Sequence, residues 1–235
     1  MDMKGYFEQF GPVAPVELSK FQQVVARRLS QSWSSIPHVT HQDDVDVTAL
    51  EAHRKSLAQA GTKISPLIFL VKAVAAALKA YPDFNASLSE DGKMLFRKSY
   101  FNIGIAVDGP LGLLVPVLRN VDTRSVEDLA DELKTLSATA REKGLPMTMM
   151  EGGSMTISSL GGIGGAGFTP IINPPEVAIL GVTQTRIAPV WSGAAFEPRA
   201  MMPLSLTYDH RVINGADAAR FVRHLADILA QPQHI

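Results

Sequence analysis

The sequence of 235 residues contains no cysteine. That excludes a disulfide framework, thiolate metal sites and a cysteine nucleophile, and it fits a reducing compartment. An excess of either charge is also lacking: 22 Lys and Arg stand against 23 Asp and Glu, a formal net charge of -1. This balance leaves no basic footprint for nucleic acid, and no block of like charge marks a membrane-binding surface. No apolar run reaches the roughly 18 residues of a membrane span, and the opening MDMKGYFEQFGPVAPV has no signal-peptide core. A cytoplasmic chain with neither nucleic acid nor membrane as partner is expected.

What is present suffices for a sizeable core: 46% of residues are hydrophobic and 19% charged, and one domain is the simplest organisation. Residues 1–16, with Gly11, Pro12 and Pro15 and no periodic pattern, read as an arm or linker end before a folded domain over 17–235. From Leu18, apolar Phe21, Val25 and Leu29 recur at helical spacing, and 38–47 reads as a strand. Thr48 and Glu51 form a capping box for a helix that Gly61 ends, and Ser65 with Pro66 opens an apolar, buried helix reaching Tyr81. A hairpin follows over 84–88 and 93–96, then two strands, FNIGIAV and LLVPVLR, around a turn at 108–112. Ser125 with Asp128 opens a helix that stops at Gly144. Residues 154–160 form a short strand, and 176–191 and 201–206 read as strands around Ser192 and Gly193. Hairpins mixed with crossovers predict a mixed α/β sandwich, one large sheet covered by helices.

Two tempting sites fail on their own geometry. Gly162, Gly164 and Gly167 match G-x-G-x-x-G, but a dinucleotide fingerprint must open a helix, and Pro170, Pro174 and Pro175 prevent one. Nicotinamide and flavin binding are rejected. His38, His41, Asp43 and Asp44 crowd one strand, where alternation puts His38 and His41 on opposite faces, so no metal is expected.

The chemistry concentrates in YDHRVING, residues 208–215, between an apolar strand and a helical pattern over 216–230. Histidine is the residue type whose ordinary pKa lies nearest neutrality, so His210 can take a proton and return it within one turnover. A loop histidine often has no role; its surroundings decide. His-x-x-x-Asp-Gly before a C-terminal helix resembles the active-site signature shared by the dihydrolipoamide acyltransferases and chloramphenicol acetyltransferase. Here Asn214 stands at the aspartate position, able to donate and accept but not to neutralise an arginine. The segment SMTISSLGGIGGAGFTPIINPPEVAILGV, 154–182, resembles the acetyltransferase component of pyruvate dehydrogenase complexes, as do ARRLSQSWSSIPHVTH and IGIAVDGPLGLLVPV, so the likeness covers most of the chain.

The resemblance implies a chloramphenicol-acetyltransferase-like acyltransferase catalytic domain over 17–235 and a homotrimer with each active site between two subunits. Coenzyme A, as acetyl-coenzyme A, and a dihydrolipoyl group would enter a channel from opposite ends. It implies as partners a lipoyl domain, the pyruvate decarboxylase component and dihydrolipoamide dehydrogenase, with trimers joined into a larger cubic core in core-forming relatives. No lipoyl-lysine motif or subunit-binding domain precedes residue 16, so the chain reads as an excised domain or one served by another protein's lipoyl group. Its ending, LAQPQHI, departs from the arginine and leucines of core-forming relatives and leaves open a trimer that stops there.

The implied reaction is reversible acetyl transfer between two thiols of pKa about 8.5 to 9, which need a base at neutral pH. The resemblance assigns His210 as that base and Ser158, from the neighbouring subunit, as hydroxyl donor to the carbonyl oxyanion. From the residues alone Ser158 and Ser159 are equivalent. No G-x-S-x-G elbow surrounds Ser158, so direct transfer in a ternary complex is simpler than an acyl-serine. Asn214 is expected to order the site through Arg27 or Arg28, and Phe168 and Leu180 to wall the pantetheine channel. Two rival readings are an antibiotic-type coenzyme A acetyltransferase, which FTPIINPPEVAILGV argues against, and a trimeric scaffold whose catalysis has lapsed.

Overall fold

The computed structural model describes residues 2–109 and 112–235. Its centre is an eight-stranded mixed sheet, in the order β1-β10-β8-β7-β4-β5, with β6 beside β4 and β9 beside the first half of β10. The strands are β1 (His38–Asp46), β4 (Ile103–Gly109), β5 (Gly112–Leu114), β6 (Val117–Leu118), β7 (Met155–Ser159), β8 (Ala178–Val182), β9 (Arg186–Trp191) and β10 (Phe196–Asp209). The inner pairs β4–β7 and β7–β8 are parallel and the rest antiparallel. A separate hairpin joins β2 (Ala86–Leu88) to β3 (Leu95–Arg97).

Alternation gives this sheet two unlike faces. Ile103, Ile105, Met155, Ile157, Leu180, Leu204, Leu206 and Tyr208 point one way and are buried with α4 (Pro66–Ala80), α5 (Val126–Lys143) and α6 (Gly215–Leu229). The apolarity of α4 all round is explained by its position, with nine of its residues buried. Registers place Thr40, Gln42, Ser205, Thr207, Gly181, Thr156, Ser158, Gly104 and Ala106 on the opposite face. Small and polar, that face is crossed by α2 (Lys20–Ser35) and the segment 160–175.

Most predicted elements are found, and the differences are local. The arm contains a short helix, α1 (Met3–Glu8), because the Asp2 carboxylate accepts the Gly5 amide and caps it. Thr48 is not a cap: α3 (Thr48–Gln59) begins at it, and its amide and hydroxyl both donate to Asp46, at 2.9 and 2.6 Å. The strand expected over 176–191 is two, β8 and β9, broken at 183–185 where pairing passes from one half of β10 to the other. LLVPVLR divides into β5 and β6 about Pro116, which has no amide for a ladder. The turn expected at 108–112 lies partly outside the described residues. No helix follows the glycine run, as its prolines require.

Candidate active site

His210 is the first residue after β10. The buried Asp209 carboxylate builds the turn that presents it: it accepts the Arg211 amide at 3.0 Å and holds the Arg211 guanidinium in a two-oxygen ion pair. The Asp209 carbonyl accepts the Val212 and Ile213 amides, and the His210 amide donates to the Pro37 carbonyl. The exposed imidazole lies 5.9 Å from the Tyr208 ring and makes no hydrogen bond among the described residues. Its nitrogens are thus free for a substrate.

Asn214 follows as the N-cap of α6. Its Oδ1 accepts the Asp217 amide at 3.0 Å and its Nδ2 donates to the Asp217 carboxylate at 2.5 Å. The expected tie to Arg27 or Arg28 is absent within this chain: both arginines are exposed on α2, and Asn214 spends its hydrogen bonds on the helix it opens.

Ser158 is half-buried on the small-residue face, its hydroxyl without a partner among the described residues. Its register partner on β8 is Gly181, and beyond that Ser205 on β10. His210 stands five residues past Ser205. At 3.3 Å per residue and 4.8 Å per strand, Ser158 and His210 are roughly 19 Å apart in one chain. One chain does not bring them together.

Phe168 lies on that same face. A Cβ on Gly181 would stand 2.9 Å from two atoms of the Phe168 ring, so only glycine admits the ring there. Leu180, in contrast, points to the helix-covered face and is 0% exposed, so it supports β8 from behind and cannot wall a channel. The 160–175 segment is held by two residues of unassigned role. The buried Ser32 hydroxyl donates to the Ile172 carbonyl at 2.7 Å, and His38 Nε2 accepts the Ile172 amide at 3.1 Å. That bond leaves the proton on His38 Nδ1, facing the Ile36 carbonyl at 2.9 Å. Nothing local in the sequence marks Ser32 or His38 for this role, and Asp209 is marked only by standing before His210. Among the described residues no group of three His, Asp or Glu is placed to hold a metal ion.

Comparison with known proteins supplies the family. Residues 11–235 match the family model described as 2-oxoacid dehydrogenases acyltransferase (catalytic domain). The acetyltransferase component of the pyruvate dehydrogenase complex of Pseudomonas aeruginosa is 54% identical over 228 residues, 95% of this chain and 42% of that protein. That of Haemophilus influenzae is 50% identical over 230 residues, again 95% of this chain and 41% of that protein. The chain thus spans about two-fifths of the length of these curated relatives. A solved structure of Azotobacter vinelandii dihydrolipoamide acetyltransferase superposes with a TM-score of 0.93 at 50% identity, covering 97% of this chain and 96% of that one. It comes from an investigation of a serine, a histidine and an asparagine in that enzyme's catalytic mechanism, residues with the mutual spacing of Ser158, His210 and Asn214. A chloramphenicol acetyltransferase shares the fold, with a TM-score of 0.59 at 15% identity over 93% of this chain and 99% of that one. The chain belongs to the 2-oxoacid dehydrogenase acyltransferase family and comprises its catalytic domain.

Proposed function

We propose that this domain transfers an acetyl group reversibly between coenzyme A and a dihydrolipoyl thiol, at a site completed between two copies of the chain. The observation that carries the reading is the pairing of an unengaged His210 imidazole with an unengaged Ser158 hydroxyl at the spacing of the Azotobacter vinelandii catalytic residues. His210 takes the proton of the attacking thiol as its sulfur closes on the thioester carbonyl. The Ser158 hydroxyl donates to the carbonyl oxygen as it gains charge, an interaction worth about 3 kcal/mol in comparable oxyanion sites. When the carbon–sulfur bond to the first carrier breaks, His210 returns the proton to the departing sulfur. No acyl-enzyme is needed, because both thiols come from substrates. Phe168, with the exposed amide of Gln42, suits the narrow amide-bearing arm of coenzyme A.

The separation of Ser158 and His210 within one chain supports a homotrimer in which one copy gives the imidazole and its neighbour the hydroxyl. Exposed Val24, Leu29 and Trp33 on α2, at 41%, 43% and 63%, supply apolar surface for such a neighbour. One related structure is the cubic core of a pyruvate dehydrogenase multienzyme complex, at 51% identity and a TM-score of 0.93, covering 97% of this chain and 96% of that one. By analogy trimers of this chain would join into such a core, served by a lipoyl domain, a pyruvate decarboxylase component and dihydrolipoamide dehydrogenase.

The test is acetyl transfer from acetyl-coenzyme A to free dihydrolipoamide. His210→Ala should lower kcat about 1,000-fold, within the range for losing a general base. Refolding His210→Ala and Ser158→Ala chains together should restore about one quarter of wild-type activity, since one interface in four then pairs an intact histidine with an intact serine. Transfer by wild type with no recovery in the mixture would refute the shared site, and no transfer by wild type would refute the reaction.

A further inference from the structure

Glu176 is a buried carboxyl that acyl transfer as described does not use. It stands just before β8 and is only 5% exposed. The Thr156 hydroxyl, also buried, donates to its Oε1 at 2.9 Å. The room for this pair is made by two glycines: a Cβ on Gly153 would lie 2.6 Å from Oε1, and one on Gly104 would lie 2.9 Å from Thr156 Oγ1. Glu176 Oε2 has no donor among the described residues.

We propose that Glu176 is a positioning residue for Ser158: its carboxyl, through Thr156, locks β7 to β8 and so sets where the Ser158 hydroxyl stands. The inference rests on the acyl-transfer reading above. Thr156 and Ser158 are two residues apart on β7 and share the small-residue face, so a shift of one carries the other. Val177, next to Glu176, accepts the Asp209 amide on its carbonyl at 2.8 Å, one residue before His210. The start of β8 is therefore tied to both strands that carry the proposed chemistry. The charged groups around it are Lys98, whose ammonium donates to the Gly153 carbonyl at 3.1 Å, and Arg119 beyond Gly152, which donates to the Thr148 and Glu151 carbonyls.

Burial raises the Glu176 pKa to about 7, with Thr156, Lys98 and Asn173 opposing the rise. Near neutral pH both protonation states occur, and Oε1 accepts from Thr156 in either. An uncharged acceptor of the same shape should then serve as well as the carboxyl.

The experiment compares acetyl transfer by wild type, Thr156→Val, Ser158→Ala, the double variant, Glu176→Gln and Glu176→Met. Thr156→Val keeps the shape and removes the donor. It should lower kcat about tenfold with the KM for acetyl-coenzyme A unchanged, as expected for a displaced oxyanion donor. In the Ser158→Ala background the same change should cost about twofold or less, since no hydroxyl remains to be placed. Glu176→Gln should stay within about threefold of wild type, and Glu176→Met should match Thr156→Val. Equal losses for Thr156→Val in both backgrounds, or none in either, overturn the proposal and leave the acyl-transfer reading standing. A Ser158→Ala variant as active as wild type overturns that reading first and this one with it. Should Glu176→Met fail to fold, the isosteric Thr156→Val and Glu176→Gln decide alone.

Discussion

On the helix-covered face of the sheet, Ile157, Leu180 and Leu206 are wholly buried among the residues of α4, α5 and α6. One step along each strand, the other face presents Ser158, Gly181 and Ser205, two with hydroxyls and one with no side chain at all. The first face is filled to the density of a core, where each lost methylene is felt. The second is kept low and polar, so that 160–175 can lie on it and, on the proposed function, a substrate as well. If the proposed function holds, adjacent residues of the same strand answer to different demands, one to stability and its neighbour to chemistry.

Changes at 157 and 158 test this division most strongly. Ile157→Ala should cost about 2 to 5 kcal/mol of stability in a denaturant titration while leaving the activity of the folded fraction largely intact. Ser158→Ala should leave the unfolding midpoint within about 0.5 kcal/mol and lower kcat by about 100- to 1,000-fold. If Ser158→Ala unfolded the protein, or Ile157→Ala abolished activity without destabilising it, the two faces would not be separable.

Glu176 blurs the division, being a titratable group buried on the polar side, and its effect is the next in size. Its folded pKa of about 7 lies above the ordinary 4.5, so between those values the folded chain holds a proton that the unfolded chain has released. Stability therefore falls as pH rises from 4.5 to 7, and the full cost, about 3 kcal/mol at most, persists above that. Glu176→Gln should remove that slope: urea unfolding should find it more stable than wild type at pH 8 and no more stable at pH 4.5. Parallel pH dependences of the two proteins would show that the carboxyl titrates in the ordinary range.

Gly181 sharpens the comparison from the side of the floor. Gly181→Ala would drive a methyl to 2.9 Å from the Phe168 ring and 3.3 Å from the Ser205 carbonyl. Overpacking of this kind costs about 1 to 3 kcal/mol. Because Phe168 must move, the KM for acetyl-coenzyme A should rise more than kcat falls; an unchanged KM would remove Phe168 from the substrate path.

The sheet, the buried α4 and the strand-to-helix junction at His210 were legible because periodicity and capping are local signals. The faces were only half legible. Alternation separates His38 from His41, yet it cannot tell whether Leu180 faces a channel or the core, because the parity of β8 relative to Ser158 is fixed by register with β7 and β10, which no local pattern carries. The single strand read over 176–191 failed for a related reason: β10 is long enough to pair with β8 and β9 in turn. Glu176 gave no signal, since a glutamate after two prolines looks like surface until Gly153, Gly104 and Thr156 are seen to enclose it.

Asn214 is where a reading from pattern and the structure diverge most usefully. Aspartate is as good an N-cap as asparagine, and an anion is favoured at a helix start, so Asn214→Asp would ordinarily be harmless. Here the amide Nδ2 donates to Asp217, which also pairs with Arg220 at 2.9 Å. An aspartate would lose that donor and set two carboxylates against each other. Asn214→Asp is expected to cost about 1 kcal/mol or less at pH 7, the scale of a like-charge contact near the surface, and to regain wild-type stability as the pH falls below the carboxylate range. Asn214→Ala should instead lose about 1 kcal/mol of cap at every pH. Thermal midpoints of the three proteins at pH 7 and pH 3 separate the cases, and an Asn214→Asp protein as stable as wild type at pH 7 would mean that Asp217 does not dictate asparagine here.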